Sequence, residues 1–243
     1  MTEAQDDVMK YAPDHSTFLE SMDCRNSLVT VIDDNGNKRG IGTGFVIYDG
    51  PPRSLVLTCQ HVVEWGVHVA VRKATAEGVE EYEAEVVHAD IGTDVALLAV
   101  QGLPPSLALA LVPPSQEDVG RCAVSLGFCN PLELFEPSAL ARLPAPSPGS
   151  LKEPGFKTAR KSSAGVQNTS LILTCIAMEG MSGGPVVNKR GVIGMNKSIS
   201  LDGQTLYAVS TSTIIQMLKK WCGFPVNGNT PLMDVLQHFQ GLC

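Results

Sequence analysis

Residues 180–195 run Gly180-Met181-Ser182-Gly183-Gly184-Pro185-Val186-Val187-Asn188-Lys189-Arg190-Gly191-Val192-Ile193-Gly194-Met195. Positions 184–187 and 191–195 are apolar, with β-branched Val186, Val187, Val192 and Ile193, and Asn188-Lys189-Arg190-Gly191 between them is a turn. Two such runs around a short turn read as a hairpin. Working outward, 122–126, 171–175 and 206–209 have the same character. Upstream lies a second group: 27–32 (SLVTVI), 44–48 (GFVIY), 54–58 (SLVLT), 67–71 (VHVAV), 84–88 (AEVVH) and 95–100 (VALLAV). Between its first two members, Asn35-Gly36 supplies the positive φ values of a tight hairpin turn. Short strands this dense, with no helical period between them, predict an antiparallel barrel or sandwich. Pro104, Pro105, Pro113 and Pro114 bracket a connector between the groups. The fold class is therefore all-β: two packed antiparallel β-barrels with a cleft between them.

The remaining segments complete the organisation. Stretch 131–165 holds six prolines and many small residues, and is expected to be a long surface loop. Its Lys152, Lys157, Arg160 and Lys161 read as a solvated face. After Thr211, Ile214, Ile215, Leu218 and Trp221 recur at helical spacing, which predicts a C-terminal helix; 231–242 reads as a second, short one. The expected division is an N-terminal extension (1–23), a first barrel (24–112), a second barrel with its Pro-rich loop and helix (113–221), and a short C-terminal tail (222–243).

Composition narrows the class of function. Of 243 residues, 44% are hydrophobic and 18% charged, enough for a sizeable core without staples. Mean hydropathy is +0.08. Eighteen Lys and Arg against 25 Asp and Glu give a net charge of −7, the wrong sign for holding nucleic acid by counterion release. No apolar run reaches the length of a membrane span. The N-terminus, MTEAQDDVMKYAPDH, lacks the basic and apolar regions of a secretory signal. Seven scattered cysteines, Cys24, Cys59, Cys122, Cys129, Cys175, Cys222 and Cys243, contain no CxxC pair and predict free thiols rather than disulfides or a zinc site. An intracellular, cytoplasmic setting without metal or cofactor is expected.

Three segments carry chemistry. Glycines 180, 183 and 184 around Ser182 permit a turn that presents the hydroxyl outward and aims backbone N–H groups at one point, as an oxyanion hole requires. The run Leu55-Val56-Leu57-Thr58-Cys59-Gln60-His61 carries a strand straight into a histidine, a rigid mount for a general base. Asp94 immediately precedes the apolar run 95–100, so its carboxylate is half-buried and needs a partner such as an imidazole N–H. His15, His68, His88 and His238 read as ordinary histidines, and Asp90 as a turn cap.

With these residues in the order His61, Asp94, Ser182, the chain resembles the trypsin/chymotrypsin-like serine peptidases, and within them the HtrA-type intracellular branch. The strings that carry the resemblance are GIGTGFVI, LTCQHVV, HADIGTDVALLAV, GMSGGPVVNKRGVIGMN and LYAVSTSTIIQML, spread over residues 26–221. The resemblance implies Ser182 as nucleophile, His61 as general base and acid, Asp94 as the residue that fixes the imidazole tautomer, and the N–H groups of Gly180 and Ser182 as the oxyanion hole. Met181 stands where secreted members carry the aspartate that receives a new N-terminus after activation cleavage, so no zymogen of that kind is expected. Val62 stands where they carry a cysteine. The resemblance further implies that Ile176, Ala177, Met178, Lys197, Ser198 and Ile199 wall the primary substrate pocket. No acid sits where a basic side chain would be read, so a small or aliphatic residue before the scissile bond is expected. The 22 residues after Trp221 are too few for the PDZ module that HtrA-type proteins usually append.

Expected partners are protein or peptide substrates, not nucleic acid or membranes. Two other readings bear on this. The string 180–184 also satisfies the G-x-S-x-G pattern of α/β-hydrolases, and Asp202 or Asp234 with His238 would follow in their order, but that fold needs a helix after the serine where this chain has a hairpin. The other is a non-catalytic protein-binding module on a trypsin-like fold.

Overall fold

The computed structural model describes residues 23–34, 39–65, 68–75, 78–129, 144–162 and 165–241. Two closed six-stranded antiparallel barrels form the molecule. The first contains β1 (Leu28–Asp34), β2 (Arg39–Tyr48), β3 (Ser54–Thr58), β4 (Val69–Thr75), β5 (Gly78–Asp90) and β6 (Val95–Val100), in the order β1-β2-β3-β6-β5-β4. The second contains β7 (Cys122–Gly127), β8 (Ala145–Lys161), β9 (Gln167–Leu173), β10 (Pro185–Asn188), β11 (Gly191–Ile199) and β12 (Leu206–Ser210), in the order β10-β11-β12-β9-β8-β7. Two helices follow, α1 (Thr211–Trp221) and α2 (Leu232–His238). The Ser210 hydroxyl caps α1 by accepting from the Ser212 N–H.

The apolar runs of the second barrel are continuous because their strands are buried on both faces. Ala123, Leu151, Leu171, Val186, Ile193, Leu206 and Ala208 fill its interior. The alternate positions Val124, Leu126, Val187, Val192 and Val209 belong to the larger core that also holds the first barrel. Alternation along each strand thus divides one sequence between two cores. The segment expected as a tail joins the larger core as well, through Val235, Leu236 and Phe239.

One expectation is corrected. Residues 145–161, placed in the Pro-rich loop 131–165, form β8, the strand that closes the second barrel. Its prolines sit where a ladder tolerates them. Pro146 and Pro148 pair with Leu126 and Val124 of β7, but the β9 ladder begins only at Leu151, so one edge is free there. Pro154 falls inside the register break between Glu153 and Phe156. The rest of the expected loop, 131–143, lies outside the described residues, as do the Asn35-Gly36 turn and residues 1–22 of the N-terminal extension. Among the described residues no helix is long and apolar enough to cross a membrane. The six described cysteines are free thiols.

Candidate active site

His61 stands in a short 3-10 turn, Gln60–Val62, at the end of β3. Both carboxylate oxygens of Asp94 face its Nδ1, at 3.0 and 2.9 Å, and the His61 backbone N–H donates to the same carboxylate at 3.0 Å. The carboxylate is nearly buried while the imidazole is 44% exposed, so the ring is anchored behind and open in front. Asp94 is placed by a turn that the sequence reading treated as a simple cap. The Asp90 carboxylate accepts from the Thr93 N–H and hydroxyl, and the Asp94 N–H donates to the Asp90 carbonyl. That turn gives Asp94 a φ of +62°.

Ser182 stands in the turn between β9 and β10. Gly180 and Gly183 have φ of +90° and +86°. A Cβ on Gly183 would lie 2.1 Å from the Thr43 carbonyl oxygen, so only glycine fits where the turn meets the first barrel. The Ser182 carbonyl accepts from the Thr43 N–H at 2.8 Å. Beside it, a Cβ on Gly42 would touch both this carbonyl and Val62, the neighbour of His61. Within the turn Met181 N–H donates to Met178 and Gly184 N–H to Met181, while Gly183 N–H donates to Asn196. The N–H groups of Gly180 and Ser182 make no hydrogen bond to a described residue, nor do the Ser182 hydroxyl and His61 Nε2. Four polar groups are thus left unspent where the barrels meet.

The sequence profile of the trypsin-like peptidase domain matches residues 42–195, most of the chain. The chain belongs to the trypsin-like peptidase family. Its fold is shared with solved proteases. It is similar to the active form of the Rv3671c protease from Mycobacterium tuberculosis, with TM-score 0.65 and 24% identity over 90% of each chain. It is similar to the MamO protease domain from Magnetospirillum magneticum, with TM-score 0.61 and 21% identity over 80% of this chain and 96% of that one. A serine endoprotease from Yersinia pestis gives TM-score 0.63 and 19% identity, covering 86% and 67%. No curated protein sequence matches.

In this trypsin-like peptidase a cavity of about 250 Å³ opens beside Ser182. Ala177, Met178, Lys197, Ser198 and Ile199 line it, together with Glu179, Met181, Asn196 and the buried Leu206. Ile176 lies outside the lining; its amide is tied to the Ser147 hydroxyl of β8 and its side chain is 64% exposed. Leu206, not among the residues expected there, supplies apolar lining instead. Cys59 Sγ, His61 and Asp94 place ligand atoms within 4.8 Å of one another, a spacing a metal ion could bridge. These atoms are engaged already: the thiol donates to the Asn196 carbonyl at 3.1 Å, and burial followed by the Asp94 charge pushes its pKa well above the ordinary thiol value.

Two buried polar residues that brace the site also escaped the sequence reading. Asn196 is buried and fully used: Nδ2 donates to the carbonyls of Leu126 and Met181, Oδ1 accepts from Ser125, and its carbonyl serves Gly183 and Cys59. Thr43 reaches across from β2. Asn196 meets Leu126 70 residues away and Cys59 137 residues away, and Thr43 meets Gly180 137 residues away; no local pattern carries such a signal.

Proposed function

We propose that this chain is a serine endopeptidase acting through His61, Asp94 and Ser182. The reading is carried by the His61–Asp94 pair with its exposed imidazole, in a chain whose Gly180 and Ser182 amides make no hydrogen bond to a described residue. In the reaction Ser182 Oγ attacks the peptide carbonyl carbon and its proton passes to His61 Nε2. Asp94 accepts from Nδ1–H, holds the tautomer and steadies the imidazolium. The carbonyl oxygen becomes an oxyanion facing the N–H groups of Gly180 and Ser182. Collapse breaks the C–N bond as Nε2–H protonates the leaving amine. Water then attacks the acyl-Ser182 ester, giving its proton to Nε2, and the acid product leaves as Oγ is reprotonated.

The lining of the cavity supports an aliphatic residue before the scissile bond. Ala177, Met178, Met181, Ile199 and Leu206 supply apolar surface, and Lys197 places a cation at the wall. A fluorophosphonate probe tests the function directly. Wild type is expected to be labelled on Ser182 and to cleave casein, and Ser182→Ala and His61→Ala to lose kcat by several orders of magnitude while folding normally. A wild type that is neither labelled nor active would favour the non-catalytic binding module.

A further inference from the structure

The Ser182 turn poses a mechanical question. Gly180, with no Cβ, rotates freely, and its positive φ is one option among several. Met181 next to it is 1% exposed and apolar, and it offers no charge by which the turn could be tied down. The Met181 N–H is held by Met178 and its carbonyl by Gly184 and Asn196, which leaves the Gly180 carbonyl to be fixed from outside the turn if the N–H groups of Gly180 and Ser182 are to converge on one point.

We propose that Thr43 is the positioning residue that does so: its hydroxyl latches the Gly180 carbonyl and thereby sets the oxyanion-binding amides. The Thr43 hydroxyl donates to the Gly180 carbonyl at 2.8 Å and accepts from the Phe128 N–H at 2.9 Å. A hydroxyl has a single proton, and Phe128 N–H can only donate. The Thr43 proton is therefore committed to Gly180. The Thr43 backbone holds the other end of the turn, since its N–H donates to the Ser182 carbonyl at 2.8 Å. Thr58 Oγ1 donates to the Thr43 carbonyl at 2.9 Å, which fixes Thr43 to β3, the strand that leads into His61. Thr43 is itself fully buried, so water cannot replace its bonds. On the other flank a Cβ at Gly180 would lie 2.8 Å from the Phe128 carbonyl oxygen, so the Phe128 backbone walls the turn. One residue of the first barrel thus grips the Gly180 and Ser182 carbonyls of the turn that carries the proposed nucleophile, and the latch rests on the endopeptidase reading of that turn.

The test compares Thr43→Val, which keeps the shape and removes the hydroxyl, with Thr43→Ser, which keeps the hydroxyl. Loss of oxyanion alignment acts on the transition state and not on substrate binding. Thr43→Val is expected to lower kcat about ten- to hundredfold with KM within about threefold, and Thr43→Ser to stay within about threefold of wild type. An unchanged kcat in Thr43→Val, or a loss in Thr43→Ser equal to that in Thr43→Val, overturns the latch. If Thr43→Val does not fold, Thr43→Cys, of similar volume with a weaker donor, is expected to fall between wild type and inactivity; wild-type kcat in that variant overturns the proposal. Amide hydrogen exchange supplies a readout independent of cleavage. Thr43→Val is expected to speed exchange at Phe128 and Met181, with Thr43→Ser unchanged. If the wild type is inert to substrate and probe, the endopeptidase reading fails, and the latch is then judged on exchange alone: equal rates in wild type and Thr43→Val overturn it.

Discussion

Asp94 is the only residue other than glycine with a positive φ among those described. Aspartate tolerates that conformation better than most side chains, and here the backbone is tied on both sides: its N–H to Asp90, its carbonyl to the Gln60 N–H. The same bend turns the carboxylate under His61. Asparagine is equally at ease with positive φ, so Asp94→Asn isolates chemistry from conformation. It is expected to leave thermal stability nearly unchanged and to lower kcat by about 10⁴, because the amide cannot hold the required tautomer. A drop in kcat of less than tenfold would remove Asp94 from the mechanism. The proposed specificity also belongs to this scale. A Lys or Arg side chain entering the apolar cavity would be desolvated beside Lys197, whereas an aliphatic one gains roughly 1.5–3 kcal/mol from burial. A positional-scanning peptide library should therefore rank Val, Leu, Ala and Met above Arg and Lys. The reverse order would point to Glu179, which also lines the cavity, as the residue that reads the substrate.

Among the elements, β8 separates composition from structure. Leu151 is 1% exposed in the interior of the second barrel, while its neighbour Lys152 is exposed. Leu151→Ala should cost about 2–5 kcal/mol in urea denaturation and Lys152→Ala no more than about 0.5 kcal/mol. A negligible effect of both would return this segment to a loop. The other strands were legible because burial on two faces forces continuous β-branched runs: 54–58 and 95–100 coincide with β3 and β6. β8 was not, because its alternate prolines and broken register mimic the composition of a loop, and the barrel supplies the reason to pair. β5 extends well beyond the expected 84–88 because its glutamates face solvent and leave no apolar pattern. The site divides in the same way. His61, Asp94 and Ser182 announce themselves by residue type and local setting, whereas Thr43 and Asn196 act through partners far along the chain.

At the scale of the whole molecule, the C-terminal helices tie the second barrel's end to the first barrel's wall. His88 of β5 stacks on Trp221 of α1, with ring centroids 5.0 Å apart and planes 11° from parallel, and meets the Phe239 ring edge-on at 5.7 Å. Arg53 reinforces the junction by donating to the Phe239 carbonyl at 3.0 Å. Burial holds the His88 pKa below its ordinary value of 6.5. The unfolded chain therefore takes up this proton first as pH falls. The stability that neutral His88 supplies is complete above about pH 6.5 and declines below it, down to the folded-state pKa. Denaturation midpoints at pH 7.5 and 5.5 should differ less in His88→Phe than in wild type; equal differences would show that the stack does not titrate. The division of residues between the barrels has a further consequence during synthesis. His61 and Asp94 emerge with the first barrel, which ends at Val100, and Ser182 follows 82 residues later. At about 5–20 residues per second the ribosome takes roughly 4–16 seconds to cover that interval. Throughout it the nascent chain holds the proposed base without the proposed nucleophile. The proposed hydrolytic centre is complete only when the second barrel docks, so on that reading an unfinished chain has nothing with which to cut its neighbours or itself.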